Sequence, residues 1–357
     1  MAFTDTETAG RPVDSRMLDA VECITGCDRG FSLTYATVGA QGEPRTATAS
    51  LHLPAGVVDP PVMVFCHGTT GVGEHCPVSF GIAAGMGAEL AAWTGRGMAA
   101  LLVDYAGLGS PGPHAYLHAE STARQAIDAL KAAHVVAADA GRGLDPRWVV
   151  MGGSQGGHAA LATSSRAADR APELALRGVV ALVPPTDLTM LLRGAGPWVP
   201  RLPVPDLVTY LAYILHGLEA ARPELRPQLD EVLSAHGRQL VDSAPWYSYH
   251  QMVEHTRGQS VGRMLRRGLI GTEILRAVAE TSSLTPLAHP APVQVHQGVF
   301  DPVVPWFGTH RYVRRCRAAG STITHHLYRT GHNVWAAAKP EALAFSMERL
   351  GATDSPG

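Results

Sequence analysis

The chain is short of several features at once, and each shortage closes off a class of protein. Its 357 residues include only five cysteines, Cys23, Cys27, Cys66, Cys76 and Cys316, an odd number that argues against a disulfide framework. Cys23 and Cys27 are close enough in sequence to bridge in an oxidising compartment, but reduced thiols are the expectation. Neither sign of charge is in excess. With 29 basic and 31 acidic residues the formal net charge is −2, which gives no electrostatic reason to bind nucleic acid or an anionic membrane. The basic residues are almost all arginine. No run approaches the ~18 apolar residues of a membrane-spanning helix, so integral membrane association is not expected. The opening "MAFTDTETAGRPVDSRMLDA" has neither the basic nor the apolar region of a signal peptide, which makes a cytoplasmic location the expectation. The 17 histidines are many, yet no HExxH and no Cys/His set with zinc spacing occurs; neither a metal nor a cofactor is expected.

What is present is an alternation of strand-like and helix-like segments. "FSLTYATVGAQGEPRTATASLHLP" reads as two strands around a turn at Gly42, and "PPVMVFCHGTTG" as an apolar strand ending at His67-Gly68. "FGIAAGMGAELAAWTGRG" is helix-like, "MAALLVDYAGLGSPG" a buried strand with its loop, and "HAESTARQAIDALKAAHVVAADAG" the clearest helix, with apolar residues three and four apart. "RWVVMGGSQGGHAALA" adds strand, turn and helix, and "LRGVVALVPPTD" one more strand. This rhythm predicts an α/β fold with a mostly parallel central sheet flanked by helices, whose working residues lie beyond the C-terminal ends of the strands. Between about Leu188 and Leu287 the pattern becomes helical and irregular. The expected organisation is a core over 1–187 and 288–357 with an inserted helical cap over 188–287. α/β folds longer than the usual ~100–200 residues per domain can be single units carrying such an insertion. The extreme ends, including "ATDSPG", are expected to be mobile.

The glycine-rich turn around Ser154 could hold a phosphate or present a nucleophile. No lysine stands in or beside it, which removes a P-loop, and it does not give GxGxxG. Gly152-Gly153-Ser154-Gln155-Gly156 does satisfy GxSxG between a strand and a helix, the context that gives this short pattern meaning. A side chain at Gly152 or Gly156 is expected to collide with neighbouring backbone, so the serine is raised above the sheet beside a helix N-terminus that favours an oxyanion. A serine nucleophile needs a base, and the base an orienting acid, in the order Ser, acid, His. Asp301 in "VHQGVFDPVVP" and His332 in "LYRTGHN" follow predicted strands in that order. Asp187 in "VPPTDLT" is the competing acid. His325 and His326 alternate within a strand, His310 lies in a helix, and His158 suits packing or the pocket wall. The expected oxyanion donors are the backbone N–H groups of Gln155 and of Thr69 in "CHGTTG", with Thr70 second and His67 bracing the loop.

With these residues assembled, the chain resembles the α/β-hydrolase superfamily and is more narrowly similar to the secretory lipase family of fungal and actinobacterial enzymes. "HGTTGVGEHCPVSFG", "VDYAGLGSPG", "GGSQGGHAA", "HQGVFDPVVP" and "RCRAAGSTITHHLYRTGHN" carry the resemblance, from about Pro61 to Trp335. It implies hydrolysis of carboxylic esters through an acyl-enzyme, with Ser154, Asp301 and His332 at matching positions and a helical lid over an acyl pocket. The missing signal-peptide pattern departs from that family and turns the expected substrate from bulk triglyceride to a small or medium acyl ester or an intracellular metabolic intermediate. Two other readings stay open: a lyase or acyltransferase of a natural-product pathway, for example eliminating acetate from an acetylated intermediate, and a non-catalytic ligand-binding protein on the same fold. The apolar helix around Leu207–Leu218 and the aromatics Trp246, Tyr247 and Tyr249 are pocket candidates, with ordinary packing as the alternative. The oligomeric state is not readable.

Overall fold

A computed structural model of the protein describes residues 8–79, 86–202 and 206–351. The "ATDSPG" tail and the start of the helix read in "FGIAAGMGAELAAWTGRG" lie outside the described residues. The strands are β1 (Pro12–Met17), β2 (Cys27–Val38), β3 (Pro44–Pro54), β4 (Val62–Cys66), β5 (Ala99–Val103), β6 (Arg147–Gly153), β7 (Ala175–Leu182), β8 (Val293–Gly298) and β9 (Ile323–Tyr328). The helices among and after them are α1 (Met86–Thr94), α2 (Ala119–Asp139) and α3 (Gln155–Arg170). Between β7 and β8 stand α4 (Leu188–Leu192), α5 (Leu207–Ala221), α6 (Arg226–Val232), α7 (Ala235–Ser243), α8 (Tyr249–His255), α9 (Val261–Met264) and α10 (Glu273–Thr281), and the chain closes with α11 (Trp306–Ala318) and α12 (Trp335–Leu350).

The strands form one sheet in the order β1-β2-β3-β5-β4-β6-β7-β8-β9. From β5 to β9 every pairing is parallel, while β1 to β3 join antiparallel. The parallel strands read as continuous apolar runs because both of their faces are covered. Val62, Val64, Leu101, Val103, Val150 and Val179 face α2, α3 and α11, where Ile127, Leu130, Ala160 and Val313 meet them. The alternate residues Met63, Phe65, Leu102, Val149, Met151 and Val180 face α1 and α12 through Leu90, Trp93, Ala338 and Phe345. β1 is the strand that the sequence reading does not include. Its side chains are nearly all exposed, so it carries no apolar alternation, and pairing with β2 alone defines it.

The helices between β7 and β8 have an apolar core of their own, built from residues such as Leu188, Leu211, Leu215, Leu229, Val241 and Ile274, and joined by Tyr116 and Leu117 from below. All five cysteines are free thiols.

Six histidines are buried in this frame: His52, His67, His114, His158, His289 and His296. Each has a polar partner: His52 Nδ1 accepts from Ile24 N, His158 Nε2 donates to Ser282 O, and His289 bonds Ser164 and Tyr312. Burial pushes all six imidazoles down, to about 4 in His52, His158 and His289 and to about 3 in His114 and His296. In the unfolded chain they take up protons near the ordinary value of about 6.5. Between that pH and about 4 the unfolded state therefore binds more protons than the folded one, so stability falls as pH falls. Asp128, raised to about 6 by burial, works in the opposite direction, one group against six. The urea midpoint is expected to drop steadily from pH 6.5 to pH 4; a flat profile over that range would contradict neutral burial.

Candidate active site

β6 lies in the middle of the sheet, between β4 and β7, and ends at Gly153. Ser154 follows with φ 54° and ψ −116°, a region that side chains other than glycine rarely occupy. Its N–H donates to Leu182 O at 2.8 Å and its carbonyl accepts from His158 N at 3.0 Å, which fixes the turn between β7 and the start of α3. A Cβ on Gly152 would stand 2.3 Å from Cys66 O, and one on Gly156 only 1.9 Å from the same atom. The turn closes because neither residue has a side chain.

Asp301 follows β8. Its Oδ1 accepts from Val303 N and Val304 N, both at 2.9 Å, and its Oδ2 accepts from His332 Nδ1 at 2.8 Å and from Gln297 Nε2 at 3.3 Å. The carboxylate is fully buried, while His332, in the loop after β9, is 27% exposed. With Nδ1 donating to Asp301, Nε2 carries the free lone pair. The structure thus brings Asp301 and His332 into direct contact. Ser154 lines a cavity of about 370 Å³ whose wall also contains Pro302, Val303, Val304 and Pro305, the residues that directly follow Asp301. Among the described residues neither Ser154 Oγ nor His332 Nε2 makes a hydrogen bond, an arrangement common in unliganded sites, where such bonds form only with substrate.

The N–H of Gln155, first in α3, has no acceptor among the described residues, and neither has the N–H of Thr69. The Gln155 side chain is held by His114: His114 Nδ1 donates to Ala106 O at 3.1 Å, so its Nε2 accepts from Gln155 Nε2 at 3.0 Å. The "CHGTTG" loop is fixed from several sides. Tyr105 OH donates to His67 O at 3.0 Å, His67 Nδ1 donates to Gly68 O at 2.6 Å, and Thr69 Oγ1 pairs with Tyr116 OH at 2.6 Å. Thr70 turns its hydroxyl to Cys76 O.

The competing residues are engaged elsewhere. Asp187 caps α4, accepting from Met190 N at 3.0 Å and Thr189 Oγ1 at 2.6 Å, and pairs with Arg311 at 2.5 Å. His326 pairs with Glu341 at 2.7 Å, and His158 ties α3 to Ser282. Leu207, Leu211 and Ile214 of α5 line the cavity, as do Leu188, Leu191 and Leu192, whereas Trp246 is exposed and Tyr247 stacks on His255. Sequence reasoning missed Tyr116 on the cavity wall and Asp104, and it named the helix around Leu207–Leu218 without singling out Tyr210. The Asp104 carboxylate accepts from Thr48 Oγ1, Ser79 Oγ and the N–H groups of Val78 and Ser79, which anchors the loop below the site. An aspartate directly closing an apolar strand, as in "LLVDY", was its available signal. Among the described residues there is no His/Cys/Asp/Glu cluster that could hold a metal ion and no helix long and apolar enough to cross a membrane.

The sheet order and the strand–turn–helix at Ser154 define the α/β-hydrolase fold. Solved structures of that fold superpose over nearly the whole chain. The rice cell wall degrading esterase LipA of Xanthomonas oryzae does so with a TM-score of 0.80 at 20% identity, covering 96% of this chain and 98% of LipA. Candida antarctica lipase A in its closed state gives 0.76 at 18% identity, covering 98% of this chain and 84% of that one. No curated protein matches the chain in sequence. The secretory lipase family matches residues 87–355; the chain belongs to that family and is a carboxylic ester hydrolase.

The glycines of the turn make a sharp contrast. A Cβ at Gly153 would find nothing nearer than Leu182 Cβ at 3.9 Å. Gly153→Ala is expected to fold with a melting temperature close to that of the parent, whereas Gly156→Ala should yield little soluble, cooperatively melting protein. Equal behaviour of the two variants would refute the packing described.

Proposed function

We propose that the enzyme cleaves an ester of small or medium acyl length through an acyl-enzyme on Ser154, with His332 as base and Asp301 as the acid that orients it. The observation that carries this reading is the 2.8 Å contact between the buried Asp301 carboxylate and His332, with the residues next to Asp301 standing in the wall of the cavity that Ser154 lines. His332 Nε2, left with its lone pair, removes the proton from Ser154 as Oγ attacks the carbonyl. The tetrahedral oxyanion is received by the N–H groups of Thr69 and Gln155 and by the N-terminal end of α3. The imidazolium then protonates the leaving alcohol, and the same nitrogen activates water for deacylation. Asp301, held by two backbone N–H groups, keeps the proton on Nδ1 throughout.

The helical segment between β7 and β8 acts as a cap, and its apolar contribution to the cavity suits the acyl chain. A cavity near the lower end of the ordinary range for ligand sites favours small and medium acyl groups over long ones.

Ser154→Ala is expected to lower kcat by about 10⁴-fold or more, to abolish labelling by a fluorophosphonate, and to leave the melting curve intact. Ester turnover near the parental rate in this variant would sink the reading. Turnover of the parent in oxygen-18 water should place the label in the released acid; acid released without label would point instead to elimination on the same residues.

A further inference from the structure

The apolar lining of the cavity is interrupted on its helical side by one phenol. Tyr210 projects from α5 beside Leu207, Leu211 and Ile214. Its hydroxyl is 3.1 Å from Tyr249 OH, and Tyr249 OH is 3.0 Å from Asp206 Oδ2. The two rings lie 5.8 Å apart and tilted by 31°, so the chain of hydroxyls is held by packing as well as by hydrogen bonds.

The direction of these bonds is set from the far end. A carboxylate accepts and has nothing to donate, so the single proton of Tyr249 goes to Asp206. The Tyr249 oxygen then accepts, and the single proton of Tyr210 is spent on it. What Tyr210 has left to offer is lone-pair density with no proton. Burial first, then Tyr249 and the charges of Asp206 and Asp301, raises the phenol far above its ordinary range, so the group is neutral.

Tyr116, packed on the same helix through Tyr213 with ring centroids 5.8 Å apart, also lines the cavity. Thr69 Oγ1 and Tyr116 OH share one hydrogen bond but own two protons, and neither has another partner among the described residues. One O–H proton is therefore unspent there, beside the loop proposed to receive the oxyanion.

We infer that the Tyr210 oxygen is an acceptor subsite, and that the preferred substrates carry a neutral hydrogen-bond donor, a hydroxyl or an amide N–H, on the chain enclosed by the cavity. The inference rests on the proposed acyl-enzyme reading and adds the chemistry of the acyl group. A plain hydrocarbon chain would leave this oxygen buried against methylenes without a donor, which costs binding energy that a hydroxyl or amide restores.

The test is a set of nitrophenyl esters of one chain length: the plain acyl ester, its hydroxy analogues with the hydroxyl moved along the chain, and N-acetylamino analogues. At least one donor-bearing ester should exceed the plain ester in kcat/KM by about tenfold, the discrimination of one hydrogen bond. In Tyr210→Phe that ratio should fall close to one. Because the ratio is taken within each variant, changes in folding or in the chemical step cancel. Asp206→Asn supplies a second readout, since an amide can donate to Tyr249 and release the fixed direction of the chain. The preference should weaken there although Tyr210 remains in place, which a packing role for Tyr210 does not predict. Success in the hydroxyl arm or in the amide arm supports the subsite and tells the two chemistries apart. Equal rates across the set in the parent, or a preference that survives Tyr210→Phe, would overturn it. Failure of the acyl-enzyme reading is distinguishable, because Ser154→Ala would then turn over the whole set, with the preference either present or absent.

Discussion

The carbonyl oxygen of Cys66 occupies the space that a side chain at residue 152 or 156 would need, and the site is organised around that exclusion. β4 ends at Cys66 and β6 ends at Gly153, on adjacent parallel strands whose register pairs Cys66 with Gly152. Bringing α3 back over β6 at this point requires backbone to pass backbone at contact distance. Once it does, Ser154 has no alternative to positive φ, and its side chain leaves the sheet at the N-terminal end of a 16-residue helix. Strain of this kind costs about 1–3 kcal/mol. The surrounding strands offset it: β6 is flanked on both sides and its central residues are fully buried. The same loop that follows Cys66 carries Thr69, so the contact that raises the serine also brings the candidate oxyanion donor beside it.

Electrostatics complete what sterics begin. Asp301 is buried among four donors, the N–H groups of Val303 and Val304, Gln297 Nε2 and His332 Nδ1, so its charge is compensated without exposure to solvent. The chain runs directly from those N–H groups into the cavity wall at Pro302–Pro305. One turn thereby holds the acid and shapes the pocket, which couples the orientation of His332 to the fit of whatever fills the cavity.

The sheet was legible because its inner strands are buried on both faces, and continuous apolar runs such as "VMVFC" and "AALLV" leave little else to be. β1 was not, since a strand with one neighbour and exposed side chains carries no hydrophobic signature. At the candidate site, Ser154, Asp301 and His332 could be put forward because each follows a readable strand. Tyr116 could not, because its relevance depends on how the helical segment sits on the core, and nothing in the spacing of "GPHAYLHAE" encodes that contact; for Tyr210 only its helix, around Leu207–Leu218, was readable. Asp187 illustrates the converse. Its position in the sequence suited a catalytic acid, and only the cap of α4 and the pair with Arg311 reveal its occupation.

The helical segment is tied to the core at points that surround the site. Tyr249 N donates to Thr70 O in the loop that carries Thr69, Leu284 N donates to Thr186 O after β7, and His158 on α3 donates to Ser282. α5 crosses the loop before α2 so closely that a Cβ on Gly217 would stand 2.5 Å from Tyr116 N. Leu117, the next residue, has φ 59° and, like Ser154, combines unfavourable backbone geometry with a place in the cavity wall. Strained positions persist only where the surroundings over-determine them. Here the surroundings are sheet on one side and helical segment on the other, and Leu117 and its neighbour Tyr116 both belong to the segment's apolar core. Because Tyr116 holds Thr69, the seating of the helices and the position of the loop that carries Thr69 are one mechanical problem.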